Sequence, residues 1–313
     1  MARRWVLPEY GGIDALVLID VAVPQPARGE VTITVTAAGV NPSDAKALTG
    51  GWNADPALLP LAIGQEVAGV VTAIGPDTTI ASGAVAVGDR VVAFKVAGGF
   101  ATELTVPAGD VFALPDSIDD TAAAGILHVG VVASELLHLS GAADGETLLV
   151  HGGSGSVGSL VVQLARRAGI RVIATGSPAN QAKLRALGAE PTTYGDGLAD
   201  RALTLAPGGF DGAIDAAGTD EALAVSLELV ADPTRVATLA PGPKARDAGV
   251  RISAGAAPAS IAFRMPQRPV VLALAASGEL TLPIAKTFPL TQAPDALRLV
   301  ATGHPGGKVV LLS

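Results

Sequence analysis

The sequence predicts an α/β fold organised on a doubly wound parallel sheet, and three observations predict it. An apolar run at residues 147–150 leads into a glycine-rich turn, 151–158. Behind the turn Val157, Leu160, Val161, Leu164, Ala165 and Ala168 recur at helical spacing until Gly169. A second apolar run, Arg171 to Thr175, completes strand, turn, helix, strand, and strand-like and helix-like segments then keep alternating to about residue 253. That alternation is the pattern of a parallel sheet covered on both faces.

The turn carries the chemistry. Gly153, Ser154, Gly155, Ser156, Val157 and Gly158 form a Gly-x-Gly-x-x-Gly fingerprint after a strand and at the opening of a helix. The first glycine permits the tight turn, the second lets backbone approach a pyrophosphate, and the third lets helix and strand pack closely. The helix start adds unpaired N–H groups and the positive end of a dipole. An ordinary glycine-rich connection is the rival reading of this turn.

Sites that select NAD usually place an Asp or Glu some 20 residues beyond the glycines, on the ribose 2′-hydroxyl. No acid occurs from Thr147 to Ala189, where about four are expected from 29 in 313 residues. The same stretch holds Arg166, Arg167, Arg171, Lys183 and Arg185, and Gly176, Ser177 and Asn180 stand where the acid would be. A 2′-phosphate is welcome beside cations and is repelled by a carboxylate, so NADPH is expected over NADH. Arg166 and Arg167 read better as a solvated helix face.

At 313 residues the chain is long for one domain and comfortable for two. Hydrophobic residues make up 49% and aromatics 3%, so the core is aliphatic. A net charge of −8 argues against nucleic acid or an anionic membrane as partner. The absence of cysteine excludes disulfides, a thiolate nucleophile and sulfur-ligated zinc. No secretory leader and no run resembling a membrane span is read, and a cytoplasmic protein is expected.

The first hundred residues read as β-rich. Residues 31–36 alternate strictly, with threonines outward, and 67–71, 90–94 and 100–106 are further strands. Asn41-Pro42 interrupts a strand. Helix is expected over 121–139, 221–229, 268–277 and 293–301, and strand over 213–215, 235–239, 251–253, 286–289 and 308–312. The last segments are expected to return to the first domain.

Together Gly39-Val40-Asn41-Pro42-Ser43-Asp44, Gly64-Gln65-Glu66-Val67-Ala68-Gly69, Gly88-Asp89-Arg90-Val91, Gly98-Gly99-Phe100-Ala101, the 151–158 turn and Gly307-Lys308-Val309-Val310 resemble motifs of one family, and they span nearly the whole chain. It is the zinc-independent quinone oxidoreductase branch of the medium-chain dehydrogenase/reductase superfamily. The resemblance implies a Rossmann-type doubly wound sheet, 118–263, inserted into a β-rich GroES-like catalytic domain, 1–117 and 264–313. Zinc-dependent relatives carry cysteine where this chain has Asn41 and histidine where it has Gln65, so no metal is expected. His128, His138, His151 and His304 are scattered singly and read as surface or turn residues.

Hydride transfer from NADPH to a quinone or α,β-unsaturated carbonyl is the implied chemistry, with hydrogen bonds to the oxygen where charge develops. Asn41 is the first candidate donor, its rival role being a turn residue before Pro42. Lys46 falls where some relatives have tyrosine and enone reductases have lysine; it either polarises the oxygen or delivers a proton, or is an exposed helix lysine. By resemblance Tyr194 flanks the 2′-phosphate, Ala240, Pro241 and Gly242 lie beside the nicotinamide, and Lys308 joins the coenzyme-binding set. Two departures stand out: Val132 replaces a common threonine and Ser156 a common glycine. A small-molecule substrate and a homodimer are expected. The alternatives are an enoyl-thioester reductase on the same scaffold, or an NADPH-binding redox sensor without turnover.

Overall fold

The computed structural model describes residues 1–50, 54–303 and 305–313, and the chain divides into two compact units. The first comprises residues 1–128, 275–277 and 283–313, and the second 129–274 and 278–282. The divisions read from the sequence, at 117/118 and 263/264, fall before and inside two long helices, Asp120–Ser140 and Pro258–Ala276, and the chain passes from one unit to the other within them, at 128/129 and 274/275.

In the first unit a seven-stranded sheet runs in the order Ile284–Pro289, Lys308–Leu312, Glu30–Val40, Glu66–Ile74, Arg90–Phe94, Val111–Ala113, with Glu103–Pro107 also paired to Glu30–Val40. The long strand Glu30–Val40 is the hub. Its first half pairs antiparallel with Glu103–Pro107 and its last four residues with Lys308–Leu312, while Glu66–Ile74 lies along its other edge. A core of Val31, Ile33, Val35, Val67, Val71, Phe100, Leu104 and Val309 fills the space around it. Thr32, expected outward, is buried, because Thr105 on the neighbouring strand covers it and shares a 2.9 Å hydroxyl hydrogen bond. The N-terminal strands Ala2–Leu7 and Val17–Val21, not anticipated from the sequence, form a small sheet with Leu61–Ala62.

The second unit holds a six-stranded parallel sheet in the order Glu190–Thr192, Arg171–Thr175, Thr147–His151, Gly212–Asp215, Val236–Thr238, Arg251–Ile252. Numbered within the unit this is 3-2-1-4-5-6, the doubly wound dinucleotide-binding order. The order reverses between Thr147–His151 and Gly212–Asp215, and such a switch point opens a crevice at the carboxyl ends of the strands. The strands are buried on both faces, as their unbroken apolar runs required.

Most elements fall where periodicity put them. The helix expected over 268–277 begins ten residues earlier and runs through Pro266 and Pro269. The helix continues through both prolines into the buried Val271, Leu272 and Leu274. The helix Asp120–Ser140 is long and apolar enough to cross a membrane by length and composition, and 67% of its apolar window is buried inside the protein. His151 is also buried rather than in an open turn, because it ends the central strand of the parallel sheet. His138 is exposed and stacks on Phe263, and His304 lies outside the described residues.

Candidate functional site

The glycine turn emerges from the carboxyl end of strand Thr147–His151 and opens the helix Ser156–Arg167. Gly155 is the N-cap, and the first helical bond runs from Ser159 N to Gly155 O at 3.0 Å. The N–H groups of Ser156, Val157 and Gly158 therefore have no carbonyl within the helix to receive them. At Gly158 the strand–helix approach is closest: an added Cβ would collide with Gly152 O and lie 2.9 Å from Gly153 Cα. The turn thus has the donors and the clear backbone that a diphosphate requires.

Neighbouring loops deliver the other expected residues to the same edge of the sheet. Gly176, Ser177 and Asn180 follow strand Arg171–Thr175, and a Cβ on Gly176 would reach 3.5 Å from Ser154 Oγ. Asn180 Nδ2 donates to Ser177 Oγ at 3.1 Å, and Gln181 Nε2 donates to the carbonyls of Gly176, Ser177 and Thr192. Lys183, on the helix Gln181–Leu187, donates from Nζ to Ser154 O at 2.8 Å. Half-buried, it is shifted down from the ordinary lysine range by desolvation. Tyr194 is exposed, in a loop beyond strand Glu190–Thr192 that Arg201 clamps through the carbonyls of Thr193, Tyr194, Gly195 and Asp196. Ala240, Pro241 and Gly242 follow strand Val236–Thr238.

Carboxylates are kept from this edge or are spent on it. Glu190, the first acid after the gap, sits at the opposite end of its strand, paired with Arg171 at 2.7 Å. Asp215, 1% exposed, accepts from Ala217 N, Gly218 N and Thr238 Oγ1 and so caps its own loop. Burial raises its pKa against these bonds. Arg167 pairs with Glu279 at 2.8 Å, and Arg166 is exposed beside it in the helix's last turn, away from the glycine turn.

In the first unit a buried polar cluster joins three adjacent strand ends. Asn41 follows strand Glu30–Val40, Glu66 opens Glu66–Ile74 and Lys308 opens Lys308–Leu312. The pairings Val40–Val309 and Ala38–Val67 bring all three side chains together. Lys308 Nζ donates to Asn41 Oδ1 at 2.6 Å and to Glu66 Oε1 at 2.6 Å, and Asn41 Nδ2 donates to Glu66 Oε1 at 2.9 Å. Glu66 Oε2 accepts from His128 N at 3.3 Å. The carboxylate fits because residue 39 is glycine, whose Cβ would lie 2.8 Å from Glu66 Cδ. Asn41, Glu66 and Lys308 are exposed by 3%, 0% and 1%.

Asp44 completes the cluster. Its Oδ2 accepts from Asn41 N at 2.8 Å and its Oδ1 from Gln65 Nε2 at 3.1 Å. Burial pushes its pKa up to about 6 despite these bonds. The rival reading of Asn41 is a turn residue before Pro42; in the structure it is the N-cap of the helix Pro42–Ala47. Lys46 is exposed on that short helix. Lys308, read from the resemblance as one of the coenzyme-binding set, has its ammonium buried between Asn41 and Glu66, where strand pairing carries it. Sequence alone gave no signal for that convergence, because Lys308 lies 267 residues from Asn41. Among the described residues no group of three His, Asp or Glu side chains is placed to hold a metal ion.

Two family models match the chain: the alcohol dehydrogenase GroES-like domain at residues 27–116 and the zinc-binding dehydrogenase at 187–311. A phenolphthiocerol/phthiocerol polyketide synthase of Mycobacterium tuberculosis is 31% identical over 99% of this chain, which spans 15% of that protein. Quinone oxidoreductase of Rattus norvegicus is 37% identical over 56% of this chain and 53% of its own length. The chain thus spans at most about half the length of these relatives. Among solved structures, a mycobacterial quinone oxidoreductase superposes with a TM-score of 0.80 at 30% identity, covering 100% of both chains. A mycobacterial structure complexed with NADPH gives 0.85, also at 30% identity over 100% of both. The order of the parallel sheet, the GroES-like first unit and this full-length identity lead to one conclusion: the chain belongs to the zinc-independent quinone oxidoreductase branch of the medium-chain dehydrogenase/reductase superfamily.

Proposed function

We propose that the protein is an NADPH-dependent oxidoreductase that reduces a quinone or an α,β-unsaturated carbonyl without zinc. The observation that carries this reading is the strand edge at which the glycine turn, Gly176–Asn180 and the Lys183 ammonium converge, within a stretch, Thr147 to Ala189, that holds no Asp or Glu. Hydride is what the coenzyme supplies when bound. The N–H groups of Ser156, Val157 and Gly158 bind its diphosphate, and Lys183, Ser177, Asn180 and Tyr194 face its 2′-phosphate. Ala240, Pro241 and Gly242 give the nicotinamide a backbone-lined wall. Asn41 donates from Nδ2 to the acceptor's carbonyl oxygen as negative charge develops there. Lys46, exposed beside it in sequence, is the proton source. In this reading residues 118–263 bind the coenzyme and residues 1–117 and 264–313 the acceptor, in a cytoplasmic homodimer.

Identity to the polyketide synthase over 99% of the chain favours a second reading, reduction of an enoyl thioester on the same scaffold. The test is a fluorescence titration with NADPH and NADH, followed by NADPH oxidation assays with quinones, short enones and enoyl thioesters. NADPH should bind at least about tenfold tighter than NADH. Equal affinities refute the coenzyme assignment, and tight NADPH binding with no oxidation across the panel makes the protein a sensor rather than an enzyme.

A further inference from the structure

We infer that Lys308 is a positioning residue: its buried ammonium fixes the carboxamide of Asn41 with Oδ1 inward and Nδ2 as the donor left for an acceptor. The inference rests on the proposed reduction of a carbonyl and on the part given to Asn41 in it.

A carboxamide can turn over end for end at little intrinsic cost, so its neighbours decide which atom faces where. Here a cation and an anion decide together. Nζ of Lys308 lies 2.6 Å from Oδ1, and Oε1 of Glu66 lies 2.9 Å from Nδ2. The reversed amide would set its NH2 against the ammonium and its oxygen against the carboxylate, two repulsive contacts in a buried site. The backbone is held as well, since Asn41 N donates to Asp44 Oδ2 at 2.8 Å. Nδ2 has two N–H bonds and Glu66 takes one; the second meets no acceptor among the described residues. A group so arranged offers one oriented donor and nothing else.

Stability alone is a poor account of this pair. A buried ion pair is often matched or bettered by apolar side chains of similar volume. What an apolar pair cannot do is orient an amide. Lys308 reaches Asn41 only because the antiparallel pairing of Lys308–Leu312 with Glu30–Val40 sets residue 308 beside residue 41. In this chain a fixed positive charge therefore stands against the side chain at the position where zinc-dependent relatives carry a metal ligand.

Lys308→Met alone leaves Glu66 buried and unpaired, so folding is protected by using the charge-neutral pair Glu66→Gln with Lys308→Met. Turnover, acceptor KM and NADPH dissociation constant are measured for the wild type, Asn41→Ala, the Glu66/Lys308 double variant and the triple variant. The double variant is expected to keep its melting temperature and its NADPH affinity within about twofold while losing kcat by on the order of tenfold to a hundredfold. The triple variant is expected to be no slower than Asn41→Ala, because Lys308 acts through Asn41. A folded double variant with wild-type kcat overturns the inference, as does a triple variant whose loss is the product of the two. A double variant that does not fold overturns it too, because the pair then has a structural role. No NADPH oxidation by the wild type sinks the reductase reading instead.

Discussion

Replacing His151 by leucine should make the protein markedly less sensitive to acid. His151 is the last residue of the central strand, one position before the glycine turn, and is 1% exposed with Nε2 lacking a hydrogen-bond partner. Burial pushes its pKa down to about 4 from 6.5. The folded state thus binds this proton more weakly than the unfolded chain does. Its contribution is present above pH 6.5 and is lost as pH falls through about 4. The gap corresponds to about 3 kcal/mol, of which about 2.5 kcal/mol is lost between about pH 7 and about pH 4.5. Leucine removes the titration and also the orphaned nitrogen, so at neutral pH the variant should be at least as stable as the wild type. Asp44 acts in the opposite sense. Its pKa, pushed up to about 6 by burial, means that it gains stability as pH falls from about 6 toward 3.8. That term is common to both proteins and cancels in their difference. Urea unfolding of both at the two pH values, followed by circular dichroism, measures that difference. Parallel losses of stability on acidification would refute the reasoning.

Three further outcomes follow from the geometry. Lys183→Met should weaken NADPH by about tenfold and leave NADH nearly unchanged, measured by fluorescence titration; equal losses for both would place the ammonium away from the 2′-phosphate. Gly158→Ala should abolish measurable coenzyme binding in a chain that still folds, because the methyl group meets Gly152 O where helix and strand touch; calorimetry showing wild-type affinity would contradict it. Gly39→Ala should cost about 1–3 kcal/mol in denaturant stability, since the Cβ meets the backbone carbonyl of Ala124 and the Glu66 carboxylate that Lys308 and Asn41 hold; an unchanged midpoint would show that both neighbours can yield without cost.

Much of the second unit was legible because its signals are local. The strands Thr147–His151 and Arg171–Thr175, the turn between them and the helix Ser156–Arg167 each declare themselves within a dozen residues, by apolar runs, glycine spacing and helical period. The edge proposed for the coenzyme could be anticipated for the same reason, since the residues at the carboxyl ends of parallel strands are known once the strands are. The N-terminal strands Ala2–Leu7 and Val17–Val21 were missed because neither alternates clearly: the first buries Trp5, Val6 and Leu7 in a row and the second is largely exposed, and they exist by pairing with each other and with Leu61–Ala62.

By itself, then, the sequence determined the alternating framework, the glycine turn and the lack of acids around it, because backbone conformation and composition are properties of neighbouring residues. Only the tertiary structure decided what the isolated polar residues do. Lys308 emerged as the buried partner of Asn41 and Glu66, and His151 changed from a turn residue to a buried imidazole. Those assignments depend on strand pairing between distant segments and on burial, and both come from the closing of the sheets rather than from any local pattern.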